Sequence, residues 1–310
     1  MTSNKISWVA WDKILCERSK GGLGICSLRA LNLAMLGKWW WRERIEADVK
    51  WNTVVKLCKS SSGRNGNKRS IWNVIKSIDG DLIALGINLQ NFLHLKTDGS
   101  GWEWSLDASK SYTVRSLRAL IDNRLLPVTD TVTEWINWIP RKANIHLWRT
   151  LCNRLATKGN LGKHGVMLQS LECQLCYASE ESLDHIMTAC SATRLVSAYI
   201  SSWVKWWPVT VPSTQSLWTA ICNSDGKQRA DEKVVMKVIG VAFLWFMWRT
   251  RNNKVFNGTL MKEKEIFENI QFLAFDWIRN RFKYGNLMSW DNWICDPTKV
   301  IALCNPLTPC

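Results

Sequence analysis

The chain has 310 residues, 46% of them hydrophobic and 22% charged, a folding composition long enough for two domains, which excludes a disordered polyelectrolyte. Its 41 Lys and Arg against 26 Asp and Glu give a formal charge of +15, which favours polyanionic partners, nucleic acid first. The longest apolar run, 238–248, is well short of the roughly 18 residues a membrane span needs, and no apolar core of signal-peptide length follows Met1.

In chain order, Trp8 and Trp11 lead into Gly21, Gly22 and Gly24. These glycines fit neither the dinucleotide nor the P-loop pattern and read as a turn. A helix follows over about 28–47, where Leu28, Leu31, Met35 and Trp39 recur at threes and fours as the expected buried face. Trp39, Trp40 and Trp41 close it beside Lys38, Arg42 and Arg44. Aromatics among cations can stack bases and pair phosphates, or can pack a core with the basic heads reaching water. Residues 59–70 are small, polar and basic, and read as a linker. A short helix over 71–78 ends at Asp79-Gly80-Asp81, read as a turn. Trp102–Trp104 and Tyr112–Val114 read as the two strands of a hairpin across a turn at 107–110, with a helix from Ser116.

From Trp135 to Leu171 there is no Asp or Glu, while Arg141, Lys142, Arg149, Arg154, Lys158 and Lys163 supply six positive charges. Pro140 suits the entry to a helix over about 142–156. Ile145, Trp148, Leu151, Cys152 and Leu155 fall on its apolar side, and Lys142, His146, Arg149 and Asn153 form a column of donors on the other. That column faces either solvent or phosphate.

Directly downstream lies Cys173-Gln174-Leu175-Cys176, then His185 and Cys190. Two cysteines two residues apart point both sulfurs at one centre from a single turn, and the later His and Cys complete a four-ligand tetrahedron suited to structural zinc. With all four positions taken by protein there is no place for a reactive water. Convergence of the three sulfurs and one imidazole nitrogen to within about 4 Å is the expected geometry. Glu181 and Asp184, flanking the site, are expected to orient the imidazole. The remaining cysteines carry no ligand spacing; Cys16, Cys26, Cys58, Cys152 and Cys222 read as small core residues in a reducing, intracellular compartment. Beyond the site, an amphipathic segment runs to Trp207, an apolar helix covers 234–248, and a helix over about 264–284 pairs with it as a hairpin.

Several of these stretches resemble plant LINE-type retrotransposon reverse transcriptases, the elements without long terminal repeats. Trp8-Val-Ala-Trp11 and Asn32 to Trp41 resemble the stretch just past their polymerase domain, and Trp248 to Asn253 resembles the region downstream of their zinc-binding domain. Tyr112 to Ser116, Trp138 to Ala143, Arg154 to Thr157 and the Cys173, Cys176, His185, Cys190 set resemble their reverse-transcriptase zinc-binding domain. The resemblance implies a mainly α protein with a small β hairpin, a zinc-stapled module and a C-terminal helical hairpin. It implies a post-polymerase segment over 1–58, a linker over 59–70, the zinc-binding domain over 71–207 with its core at about 110–207, a linker over 208–231, the hairpin over 232–289 and an extended tail over 290–310. It implies Zn2+ at the four ligands, RNA or DNA as partner, and the polymerase domain of a related element as a further one. The family's polymerase depends on paired aspartates that hold two metal ions, and no Asp-Asp occurs in this chain. The expectation is therefore a detached, non-enzymatic C-terminal module, nuclear rather than cytoplasmic, that binds nucleic acid through Lys142, His146, Arg149, Arg154, Lys158 and Lys163. The alternative is a structural or protein-interaction remnant with no nucleic-acid binding of its own.

Overall fold

The computed structural model describes residues 6–46, 50–51, 53, 71–97, 99, 101–127, 132–223 and 229–304. The expected linker at 59–70 and Cys58 lie outside the described residues. The fold is mainly helical with one two-stranded antiparallel sheet. The chain divides into a unit of residues 10–132 and a unit of residues 1–9 with 133–310. These bounds cut across the expected ones: Ala10–Val132 is one unit, so the stretch read as the start of the zinc-binding domain folds with the N-terminal helices. No helix among the described residues is long and apolar enough to cross a membrane.

In the 10–132 unit, α1 (Trp11–Leu15) precedes α2 (Leu28–Ile45), α3 (Ile71–Ile83), β1 (Leu93–Leu95), β2 (Trp102–Trp104) and α4 (Val114–Leu125). Ser27 starts α2 by accepting the Ala30 N–H at 3.2 Å, leaving one fewer orphan donor in the first turn. The face that α2 buries is not the one expected from its large apolar residues. Leu28 is 79% exposed and Met35 54%, whereas Ala30, Leu33, Ala34, Gly37, Trp40 and Trp41 are buried. The cause is close backbone approach. A Cβ on Gly37 would stand 2.7 Å from Leu117 Cδ2 and 2.7 Å from the Tyr112 hydroxyl oxygen. That hydroxyl donates to the Ala34 carbonyl. Small residues let α4 and Tyr112 press onto α2, so residue size and not hydrophobicity selects the face.

Three further expectations change here. Asp79 and Asp81 lie inside α3, which runs on to Ile83, and Asp79 accepts the Trp40 indole N–H at 3.0 Å. The partner of Trp102–Trp104 is Leu93–Leu95, antiparallel, with Leu93 opposite Trp104. Thr113 is no strand residue: its hydroxyl accepts the Ser116 N–H at 3.1 Å and caps α4.

The second unit contains α5 (Arg141–Leu151), α6 (Lys158–Lys163), α7 (Ser191–Trp203), α8 (Thr214–Cys222), α9 (Ala230–Asn257), α10 (Glu263–Arg279), α11 (Trp290–Cys295) and α12 (Pro297–Cys304). Its axis is α9, 28 residues long and buried along most of Val235–Met247, which packs on α5, α8, α10 and α12. Gly258, left-handed at φ 69°, ends α9 and turns the chain back into α10, completing the helical hairpin. The expected linker at 208–231 contains α8, capped by Ser213 and burying Leu217, Trp218 and Ile221; residues 224–228 lie outside the described residues. The expected extended tail is helical at 290–304. Trp293 is fully buried with its indole N–H on the Gln271 carbonyl at 3.1 Å, and Pro297 opens α12 in the one place where its missing N–H is harmless.

Candidate metal centre

The first two ligands come from the tip of a narrow loop. The Cys173 N–H donates to the Ser179 carbonyl at 2.8 Å and the Glu181 N–H to the Leu171 carbonyl at 2.7 Å, pairing the two limbs. The Tyr177 N–H bonds back to the Cys173 carbonyl at 2.8 Å, with Tyr177 left-handed at φ 56°. This tight turn aims the N–H groups of Leu175 and Cys176 at the Cys173 sulfur.

The other two ligands sit at the ends of a π turn, His185–Ala189, closed by the Cys190 N–H on the His185 carbonyl at 2.7 Å. In an α-helix a residue five positions on lies about 140° round the axis, which would aim His185 and Cys190 apart. The wider i→i+5 closure brings them to one side, and π turns recur at functional sites for this kind of reason. Cys190 is also the residue preceding α7.

The four ligand atoms of Cys173, Cys176, His185 and Cys190 lie within 4.8 Å of one another, somewhat wider than the expected 4 Å. Cys176 Sγ and His185 Nε2 stand 3.2 Å apart. Cys173 and Cys190 are buried; Cys176 and His185 are half-buried. The Cys190 thiol hydrogen-bonds to Cys173 and holds the latter well below the ordinary thiol range, against the cost of burial. The same interaction, reinforced by burial, pushes Cys190 up. Three thiols and an imidazole with no open position are the donor set of a structural zinc site, and these residues fit one.

Neither flanking carboxylate touches the imidazole. Glu181 is buried, and its carboxylate takes the Lys158 N–H at 2.7 Å and the Arg251 guanidinium, with Nε to Oε2 at 3.1 Å. Arg251, on α9, is 3% exposed and is the missed residue of this site. Its signal was a cation one turn past a buried apolar stretch. Asp184 accepts the Thr214 N–H at 2.7 Å at the start of α8, and the His185 N–H is taken by the Ser182 hydroxyl at 3.0 Å. The carboxylates therefore tie the metal loop to α6, α8 and α9.

The six predicted nucleic-acid residues separate. Lys142, Arg154 and Lys163 are exposed. Arg149 is half-buried and donates to the Arg154 carbonyl at 3.0 Å. Lys158 is half-buried, its ammonium on the Glu172 carbonyl at 2.8 Å. His146 leaves the set: it is buried edge-on to Trp245, 5.1 Å between ring centroids, and neither ring nitrogen has a partner. Burial, then Arg149, pushes its pKa down to about 4. The helix is turned from its expected orientation because Ala143, Leu147 and Thr150 meet the core, leaving Ile145 exposed. It also ends sooner. Asn153 is left-handed at φ 52°, and the Arg154 N–H on the Arg149 carbonyl at 2.8 Å closes a Schellman turn.

Fold and site together define a mainly helical chain in which one loop gathers four Cys and His side chains able to hold a metal ion. Residues 112–196 match the family described as zinc-binding in reverse transcriptase, a span that contains all four ligands. No curated protein and no solved structure matches the chain.

Proposed function

We propose that this chain carries a zinc-stapled nucleic-acid-binding module of a plant LINE-type retrotransposon reverse transcriptase, without polymerase chemistry of its own. The observation that carries the reading is the convergence of Cys173, Cys176, His185 and Cys190 inside the segment that matches the zinc-binding family. A zinc ion there would fix the 171–190 loop by joining its two limbs to the His185–Cys190 turn. Its role is shape, because the protein supplies all four ligands. The nucleic-acid part is supported by the acid-free run from Trp135 to Leu171 and by the exposed Lys142, Arg154 and Lys163. Arg149 and Lys158 extend that set where their backbone bonds leave donors over.

Metal analysis of the purified chain beside Cys173→Ser and His185→Ala tests the zinc reading. About one zinc per chain is expected, falling in both variants; equal content in all three sinks it. Binding to a labelled oligonucleotide tests the second part. Affinity should fall about a hundredfold between 50 and 200 mM salt for four neutralised phosphates, and a flat response argues against it.

A second reading, a face that docks the polymerase domain of a related element, is favoured by one observation: Leu28, Met35 and Trp39 line the exposed side of α2. The tryptophan cluster as a whole does not contribute, since Trp40 and Trp41 are buried.

A further inference from the structure

Beside α5 lies a cavity of about 170 Å³, partly open to solvent, lined by Glu134, Trp135, Ile136, Asn137, Trp138, Val234 and Lys237. It plays no part in the metal centre. The loop that forms it is held from below. Ile136 and Ile139 are buried in the core, while Trp135 and Trp138 are half-buried and Asn137 is exposed. Asn144, itself buried on α5, grips this loop from both sides: its Oδ1 accepts the Ile136 N–H at 2.9 Å and its Nδ2 donates to the Ile136 carbonyl at 3.0 Å. Trp138 is braced against Phe282 at 5.0 Å between ring centroids. The Ile136 backbone and the Trp138 ring are therefore held before any ligand arrives, which lowers the ordering cost of binding.

The chemistry of the lining narrows the occupant. The one acid, Glu134, is neutralised by Lys237, so the cavity repels no anion. Two indoles are among the lining side chains, and the exposed Asn137 amide carries both a donor and an acceptor. At about 170 Å³ the space is smaller than the roughly 300–1,000 Å³ of a site for a larger organic ligand, and suits a single planar heterocycle. Immediately along the chain, Arg141 and Lys142 open α5 with both side chains exposed. Aromatic walls with an amide at the rim and cations alongside are how single-stranded nucleic acid is held without a duplex.

We propose that this cavity is a base pocket: it receives one unstacked base of single-stranded RNA or DNA against Trp135 and Trp138, with Asn137 on the base edge and Arg141 and Lys142 on the adjoining phosphates. The proposal rests on the nucleic-acid reading above and gives it a preference, single strand over duplex. Asn144 is a positioning residue, acting through the Ile136 backbone.

The test uses the full chain, fluorescence anisotropy, and three probes: a short oligo-rU, a short oligo-dT and a duplex of equal length. Trp135→Ala should weaken single-strand binding about tenfold, the scale of one lost base stack, and leave duplex binding within twofold. Trp135→Phe keeps a ring and should recover most of the loss. Asn137→Ala, at an exposed position, should weaken single-strand binding several-fold with zinc content and far-UV circular dichroism unchanged. It carries the test if Trp135→Ala does not fold. An Arg141→Glu, Lys142→Glu double variant should lower binding to all three probes. Equal single-strand affinity in wild type, Trp135→Ala and Asn137→Ala overturns the pocket, and leaves the nucleic-acid reading standing if the double variant still loses binding. Failure of the wild-type chain to bind any of the three probes overturns both. The ratio of rU to dT affinity distinguishes RNA from DNA as the source of the base.

Discussion

The 171–190 loop and the 10–132 unit reach order by different physical routes. The loop buries Leu175, Leu183, Ile186 and Met187 in the core of the second unit, but its ligand geometry is set by polar groups: two backbone pairings, a π turn and a buried Glu181–Arg251 pair bring four ligand atoms to within 4.8 Å. The 10–132 unit packs Ala34 and Gly37 of α2 under Tyr112 and Leu117, with Trp41, Trp104 and Tyr112 in mutual aromatic contact. The ligand geometry of the loop depends on a few groups of specific chemistry, the order of the 10–132 unit on many contacts of specific shape. Single substitutions should therefore be severe in the first and graded in the second.

The largest effect is expected from removing the metal or one of its ligands. Structural zinc contributes roughly 10–16 kcal/mol in zinc-finger peptides, so chelation or Cys173→Ser should outweigh any single packing change. Hydrogen exchange reads it locally: the amides of Cys173, Tyr177, Glu181 and Cys190 should lose protection, while those of Leu117 and Leu31 keep theirs. Loss of protection spread equally over both regions would break the comparison.

Next comes the buried ion pair. Arg251→Met leaves Glu181 charged and enclosed, a loss of about 3–5 kcal/mol. Replacing both partners, Glu181→Leu with Arg251→Met, should recover much of that, since the desolvation of two charges is then avoided. A denaturant midpoint series over the two single variants and the double closes the cycle. Additive losses would mean that Glu181 acts through the Lys158 N–H and not through Arg251.

His146 gives an acid limb. Its pKa is pushed down to about 4 in the folded chain, below the unfolded value near 6.5. Its contribution is therefore fully present above pH 6.5 and is lost as the pH falls towards 4, because the unfolded state takes the proton first. The loss amounts to about 3 kcal/mol. His146→Phe should flatten that part of the stability profile relative to wild type; an unchanged difference between pH 7 and pH 4.5 would contradict the buried, unpartnered placement.

The smallest effects belong to the aromatic unit. Gly37→Ala forces Leu117 or Tyr112 to move, and after the gain in helix propensity a net loss of about 1–2 kcal/mol is expected. Tyr112→Phe removes the bond to the Ala34 carbonyl and should lose about 1 kcal/mol, seen as a small shift in thermal midpoint. A stabilised Gly37→Ala would show that α2 and α4 do not approach as closely as argued.

Much of the candidate site was legible because ligand spacing is a local property. Cys173-x2-Cys176 needs only a turn, and His185 and Cys190 are near enough in sequence that a single π closure unites them. The mainly helical character, α9 and the C-terminal hairpin were legible for the same reason, since their apolar patterns are long and strong. The supports of the site were not. Glu181 meets Arg251 from 70 residues away, and although a cation past a buried apolar stretch marks Arg251, nothing local says which carboxylate it meets. The faces of α2 and α5 were misread because both carry apolar residues on more than one side. Which side is buried depends on what the neighbouring helix can approach, and for α2 that is Gly37 with its missing side chain. His146 fell inside because α5 turned with it, and Trp102–Trp104 chose Leu93–Leu95 because Thr113 was already committed to capping a helix.

The sequence by itself determined the charge, the helical content and the identity and order of the four clustered Cys and His residues, all set by composition or by residues within a few turns of one another. Only the tertiary structure decided which cations stay exposed, which carboxylate is locked to Arg251, and where a loop of alternating buried isoleucines and half-buried tryptophans opens into a cavity. Those outcomes depend on contacts between residues distant in sequence, where close packing admits one arrangement and the local pattern admits several.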